Sequence, residues 1–273
     1  MEYLFLLTRK HLFICLVLWL IVDIRSYAAI DRQPYKVKRV VIDAGHGGKD
    51  QGAAGKKTLE KDITLAIALK LGRYIEEALP DVKVIYTRTK DEFIELHERA
   101  AIANRNNADL FVSIHCNSAP ASSVYGTEIY VMGLGKSREN LEVSMRENAV
   151  IGLEADYQTN YDGFDPNDPE GNIIFSLYQN AFLDQSIKFA GLLNRQFRDR
   201  ADRTTRGVRQ ANFLVLYKTS MPAALVEVGF LSNSTEEKYL STDDGQSYLA
   251  SAIYRSFKEY KQYIEGLQAS GSR

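Results

Sequence analysis

The sequence is poor in cysteine: Cys15 and Cys116 are the two it has in 273 residues. A scaffold stapled by disulfides is therefore excluded, and stability has to come from a packed core. An excess of either charge is missing too, with 34 Lys and Arg against 35 Asp and Glu, a formal net charge of −1. A chain that grips nucleic acid through its phosphates normally carries a basic excess or patch, and nothing here suggests one. No uninterrupted apolar run reaches the ~20 residues that a membrane-spanning helix needs. Internal repeats, low-complexity tracts and a domain linker are also lacking. What is there, 45% apolar, 25% charged and 11% aromatic, is the composition of an ordinary globular protein.

The first thirty residues stand apart. Basic Arg9, Lys10 and His11 precede an eleven-residue apolar run from Leu12 to Val22, and Ser26-Tyr27-Ala28 follows with small residues suited to cleavage. That is the plan of a secretory signal peptide over 1–28, cleaved after Ala28 or Ala29. Asp23 and Arg25 lie close to the cleavage point, and an uncleaved membrane anchor is the alternative. Export to a secreted, periplasmic location is expected. Removing 1–28 takes away three basic and two acidic residues and leaves 31 against 33, with Cys116 as the one cysteine. No internal disulfide can then form, even in an oxidising compartment.

Past that segment, strand and helix signals alternate. Val37–Ile42, Val82–Tyr86, Leu110–His115, Gly126–Val131, Phe213–Leu216 and Ala223–Gly229 read as strands. Helical spacing runs from Glu60 through Ile63, Ile67, Leu71 and Ile75 until Pro80 stops it, and returns over Leu96–Asn107 and Leu249–Ile264. The alternation predicts an α/β domain over 37–266, with helices on both faces of a mostly parallel sheet, and a flexible tail over 267–273. Between Gly133 and Arg203 one crossover helix would suffice, and Ile173–Arg200 supplies it. A helix over Ser137–Tyr157 and the polar loop Asn160–Asn172 are surplus, and 137–172 reads as a helical insertion.

Two histidines end buried strands, His46 in GHGG and His115 in SIHCN, at the edge where open α/β sheets bind ligands. Glu60 opens the helix after the Gly-rich loop. Glu227 lies inside the apolar strand AALVEVGF, where an unpaired carboxylate is costly to bury. Two neutral imidazoles and one carboxylate make a three-ligand site for catalytic zinc, with a fourth position for water. Zinc lowers the pKa of that water from about 15.7 toward ~7. Glu227 is then the candidate general base that passes a proton to the leaving amine. Residue types alone leave a blander reading open. A strand-end histidine is often merely hydrogen-bonded, and a glutamate in a first helical turn suits the helix dipole. His97, in the charged segment ELHER, reads as a surface or packing residue. Cys116 points away from the face of its neighbour His115 and reads as a small buried hydrophobe. The Gly-rich loop AGHGGKDQGAAGKK has neither the P-loop nor the G-x-G-x-x-G pattern, so a phosphate cradle is not expected.

In order along Val37 to Ile264 come VVIDAGHGGKDQGAAG, Glu60 with Lys61, then Arg88, Asp91 and Arg99. ADLFVSIHCN, GTEIYV, RGVRQANFLVL and MPAALVEVGFLSN follow. This series resembles the zinc-dependent N-acetylmuramoyl-L-alanine amidases of the amidase-3 type. The resemblance implies a mixed, roughly six-stranded sheet between helices. It implies one zinc ion held by His46, Glu60 and His115, with Glu227 as the catalytic glutamate. The implied substrate is peptidoglycan, cut between N-acetylmuramic acid and L-alanine of the stem peptide by direct attack of water, without an acyl-enzyme. Cys116 departs from the family pattern, which has a small residue, commonly alanine, at that place.

In members that work in daughter-cell separation, an insertion at the place of 137–172 covers the zinc until a protein activator displaces it. Glu147 best matches the family's plugging glutamate, and Glu142 and Glu154 are the other carboxylates a helix there can present. The alternative is a solvated charged helix with its acids facing water. Other readings of the whole chain are a different zinc-dependent wall hydrolase, peptidase or deacetylase, or a wall-binding protein with a dead site. Targeting is expected to depend on protein partners, with no nucleic-acid partner and no stable membrane insertion after signal cleavage.

Overall fold

The computed structural model describes residues 35–133, 137–161 and 182–271. The expected signal peptide, most of the polar loop after Asn160 and the start of the helix expected from Ile173 lie outside the described residues. The strands are β1 (Arg39–Ala44), β2 (Lys83–Tyr86), β3 (Leu110–Asn117), β4 (Thr127–Met132), β5 (Thr205–Ala211) and β6 (Ala223–Phe230). They form one six-stranded sheet in the order β2-β1-β3-β6-β4-β5. Every neighbouring pair is parallel except β4 with β6, so the sheet is mixed and mostly parallel.

The helices are α1 (Glu60–Ala78), α2 (Leu96–Arg105), α3 (Arg138–Asn148), α4 (Tyr157–Asn160), α5 (Leu183–Arg200), α6 (Leu214–Tyr217), α7 (Ser234–Leu240) and α8 (Asp243–Gly271). One core joins Val40, Ile42, Val112, Ile114, Ala224 and Val226 of the sheet to α1, α5 and α8. A second, on the opposite face, joins Val41, Phe111, Tyr130 and Leu225 to α2 and α6. This division follows from the period of a strand, whose successive side chains alternate faces. The same alternation puts Asp43, Ser113, His115, Asn117, Glu128 and Glu227 on the second face. From β1 the chain passes to β2 on one side and returns to β3 on the other. The crevice at the carboxyl ends of β1 and β3 is thus the switch point at which such sheets hold ligands.

The segment expected as a strand at Phe213–Leu216 is instead the single helical turn α6. Asn148 fixes it from the end of α3, its Oδ1 accepting from Leu214 N at 2.9 Å and its Nδ2 donating to Asn212 O at 2.7 Å. A short apolar run does not distinguish strand from buried turn. The strand of this region is β5, TRGVRQA, whose polar, half-exposed edge position hides it from an apolar pattern. The segment expected as a helical insertion breaks into α3, a 3-10 turn over Ala149–Leu153 and α4. The buried residues of α3 are all polar: Asn140, Ser144, Glu147 and Asn148.

Candidate metal centre

His46 follows β1 by two residues and has a φ of 62°, in the left-handed region that a non-glycine seldom adopts. Such a conformation persists where the surroundings over-determine it. Two buried arginines do so here. Arg99 Nη1 donates to Asp43 Oδ1 and Ala44 O and its Nη2 to His46 O, each at 2.8 Å. Arg88 donates to Ala44 O at 2.9 Å and to Gly45 O and Lys61 O at 2.8 Å. Lys61 in turn holds Asp91 at 2.8 Å, and Asp91 accepts from Gly48 N at 2.6 Å. The loop is thus clamped by its own carbonyls. A Cβ on Gly45 would stand 2.5 Å from the His115 ring, so glycine there lets the two strand ends close on each other.

Four buried side chains from four elements converge at this crevice. His46 Nε2 is 3.1 Å from Glu60 Oε1 and 3.2 Å from Glu147 Oε2. His115 Nδ1 is 3.1 and 3.2 Å from the same two oxygens. Donors about 2.0–2.1 Å from a tetrahedral zinc stand roughly 3.3 Å from one another, so these separations have the size of that polyhedron's edges. His46 Nε2 and Glu147 Oε2 are buried without a hydrogen-bond partner. The other nitrogen of His46, Nδ1, lies 2.7 Å from Asp50 Oδ2, the outer carboxylate that commonly orients a metal-binding imidazole. The donor set and its spacing fit a zinc ion.

The electrostatics ask for positive charge at the same spot. Burial favours neutral imidazoles, yet Glu147 and Glu60 outweigh it and push His115 up to about 9. His46 likewise rises well above its usual value against burial, through Glu60, Asp50 and Glu147. Burial would raise Glu60, but His46 brings it down to about 2. Glu147, also against burial, is held well below the usual carboxylate range by His115 and His46. Protons or a metal ion can meet that demand, and a metal must displace the protons to bind.

Glu227 pairs with His115 across β3 and β6 and with Glu128 across β6 and β4. It is wholly buried, and neither of its oxygens has a partner. Burial, then the charge of Glu147, raises its pKa well above the ordinary value. It is not one of the four converging donors. A buried carboxyl without partners is costly to hold, which makes Glu227 a candidate for chemistry beside the donor cluster.

The other residues singled out from the sequence fall elsewhere. Glu142 is exposed and paired with Arg138 at 2.7 Å. Glu154 sits at the start of α2, accepting from Leu96 N at 2.7 Å and from the Tyr161 hydroxyl at 2.7 Å, while that hydroxyl accepts from His97 N at 2.8 Å. Neither reaches the donor cluster: Glu142 is on the exposed side of α3, and the 3-10 turn after Asn148 carries Glu154 away. His97 packs edge-on to Tyr161, with ring centroids 6.0 Å apart. Cys116 lies in the opposite core, where burial pushes its thiol well up, and its amide donates to Glu60 Oε1 at 2.7 Å. Asp50 had no signal in the sequence beyond its place four residues after His46.

The family model for N-acetylmuramoyl-L-alanine amidase matches residues 40–259. The chain belongs to that family. AmiC of Escherichia coli, an N-acetylmuramoyl-L-alanine amidase, is 32% identical, aligned over 84% of this chain and 55% of its own length. The present amidase thus spans about half of that relative. The catalytic domain of CwlV, an N-acetylmuramoyl-L-alanine amidase from Bacillus (Paenibacillus) polymyxa, is 33% identical with a TM-score of 0.55, covering 82% of this chain and 97% of that one. The CwlD amidase of Clostridioides difficile, solved in complex with the GerS lipoprotein, is 27% identical with a TM-score of 0.58, covering 82% and 98%. Among the described residues of the amidase, no helix is long and apolar enough to cross a membrane.

Proposed function

We propose that this amidase is zinc-dependent, cuts peptidoglycan between N-acetylmuramic acid and L-alanine after export, and is held shut by its own insertion. The observation that carries the reading is Glu147 of α3, whose carboxylate converges with His46, Glu60 and His115. When bound, zinc supplies a Lewis acid that polarises the scissile carbonyl and makes water more acidic. His46, Glu60 and His115 would hold it, with Asp50 fixing the ring of His46. Glu227, on the same sheet face as His115, takes up a proton from the attacking water and returns it to the departing amine.

In the closed arrangement α3 stands in the way of substrate. Its Arg146 donates to Asn117 Oδ1 at 2.8 Å and to Ser118 O at 2.9 Å. Its buried face is polar, and net hydrogen-bond contributions are only about 0.5–1.5 kcal/mol each, so a protein partner can lift it. Moving such an equilibrium from 1:99 to 99:1 takes about 5.5 kcal/mol of preferential binding. The complex of CwlD with a lipoprotein supports the idea of a partner, and the leader at 1–28 supports export to the wall. A helix that reaches the donor cluster supports a role in daughter-cell separation.

The test is digestion of purified sacculi by the intact chain and by Glu147→Ala, at equal zinc occupancy, with and without chelator. Mass spectrometry should find free stem peptides and peptide-free glycan, released weakly by the intact chain and several-fold faster by Glu147→Ala. Chelator should abolish both. Equal rates would reduce α3 to ordinary scaffold, and shortened peptides or deacetylated sugars would replace the amidase by another wall hydrolase.

A further inference from the structure

Beside the donor cluster lies a cavity of about 340 Å³, within the size range of small-ligand pockets. Asn117, Glu128, Tyr130, Arg206, Arg209 and Phe230 line its sheet side. Two arginines three apart on a regular strand would point to opposite faces. Here they share one. Thr127 pairs with Thr205 and Ile129 with Val208, so β5 advances three residues where β4 advances two. Gly207, with a φ of 92°, lies in this bulge. A Cβ there would meet nothing within 4 Å, so the backbone turn and not crowding asks for glycine. Bulges of this kind re-aim side chains next to active sites.

The bulge brings both guanidinium groups to one carboxylate. Arg206 Nε is 2.8 Å and Arg209 Nη2 3.3 Å from Glu128 Oε1. Buried Glu128 also accepts from Asn117 Nδ2 at 2.8 Å and from the Tyr130 hydroxyl at 3.0 Å. One carboxylate offsets one of the two arginines, and a positive charge is left over. Arg209 Nε is buried without a partner. Glu128 is the single hydrogen-bond partner of the Arg206 guanidinium among the described residues, so most of its N–H groups remain for a ligand. In the closed arrangement α3 meets part of this surplus, with Asn140 Oδ1 accepting from Arg209 Nη1 at 2.9 Å and Glu139 Oε2 at 3.5 Å. The same helix therefore engages Arg209 and the donor cluster at once.

We infer that Arg206 and Arg209 form the subsite for a free carboxylate of the stem peptide, on the residue that follows L-alanine, and that Asn140 and Glu139 hold its place in the closed enzyme. This rests on the amidase reading of the site. Glu128 and Glu227 are directly paired, which sets their Cα atoms about 5 Å apart, and the guanidinium groups lie beyond Glu128. An extended peptide covers that span in one to two residues at about 3.5 Å each. Guanidinium groups bind a carboxylate through charge-assisted bonds, whereas a primary amide at the same place brings no charge.

The experiment gives the zinc-loaded full chain two soluble muropeptides in one mixture, differing only in a free carboxylate or a primary amide at that residue. The ratio of their kcat/KM values does not depend on how much of the enzyme is open or folded. The wild type should prefer the carboxylate about tenfold or more, the size of a hydrogen-bonded charge, with the difference in KM. Arg206→Gln and Arg209→Gln should each bring the ratio toward one while still cleaving both substrates, and Arg209→Lys should keep part of the preference. A wild-type ratio near one, or an unchanged ratio in the glutamine variants, overturns the subsite and leaves the amidase intact. Release of L-alanine-ended peptide from neither substrate, by the wild type and by Glu147→Ala alike, overturns the amidase reading and the subsite with it.

Discussion

Glu227 and His46 are expected to fail in different ways when replaced. Glu227→Gln removes a proton carrier and none of the four converging donors, so it should keep its zinc while losing about 10²–10⁴-fold of hydrolysis. His46→Ala should lose both metal and activity. Metal analysis of desalted protein, beside muropeptide release, checks the pair, and zinc kept by His46→Ala but lost by Glu227→Gln would reverse the roles. Asp43 carries a pH prediction. Burial favours its protonated form, but Arg99, with hydrogen bonds from Ser113 and Thr87, wins and holds its pKa below the usual 3.8. With a depressed folded value, its stabilisation is complete above the unfolded pKa and is lost as pH falls through the folded one. Asp43→Asn should therefore unfold in less urea at neutral pH, with a gap to the wild type that narrows as the pH falls below the ordinary 3.8 and through the lowered folded value. Urea titrations of chelated protein at several pH values would show this, and a constant gap would refute it. The sequence points to His46, Glu60, His115 and Glu227 through two strand-end histidines, a helix-opening acid, an acid inside an apolar strand and the family resemblance; the structure brings the first three together and leaves Glu227 buried without a partner. Asp50 was not legible in the sequence, since an acid in a Gly-rich loop has no periodic context that ties it to an imidazole.

Two elements were harder to read than their residues. β5 is polar and at the sheet edge, and the apolar turn beside it imitates a strand, so hydrophobic pattern assigned the wrong neighbour. Its bulge is invisible in the sequence except as Gly207. Gly207→Ala is expected to cost about 1–3 kcal/mol through backbone strain, read as a lowered thermal midpoint; an unchanged midpoint would mean that the turn tolerates a side chain. α3 shows the converse, an element whose buried face is made of Asn140, Ser144, Glu147 and Asn148. Helical periodicity looks for apolar stripes and says little of which glutamate such a helix turns inward. Arg146→Ala removes the contacts to Asn117 and Ser118 but none of the four donors. It should raise basal muropeptide release in the same direction as Glu147→Ala, and a fall in release would show that Arg146 serves the open enzyme.

At the scale of the whole molecule, alternation of strands and helices made the α/β class legible, but not the order of the sheet. Strand patterns record burial and carry no label for a neighbour, so the antiparallel meeting of β4 with β6, which sets Glu128 opposite Glu227, appears only in three dimensions. A metal that binds the folded chain alone stabilises it by about 2.7 kcal/mol at a hundredfold excess over Kd. The thermal midpoint should accordingly rise by several degrees on adding zinc to chelated protein, and His115→Ala should show no such rise. Glu154 and Tyr161 have a consequence that reaches across the molecule. They belong to the segment read as an insertion, yet they satisfy the amides of Leu96 and His97 in the first turn of α2, where a helix has no partners of its own. The lifting of that segment proposed above would strip those two amides of their acceptors, and their deuterium uptake would then follow the opening free energy of the site. Exchange at the start of α2 would thus report, without any substrate, the balance between closed and open enzyme.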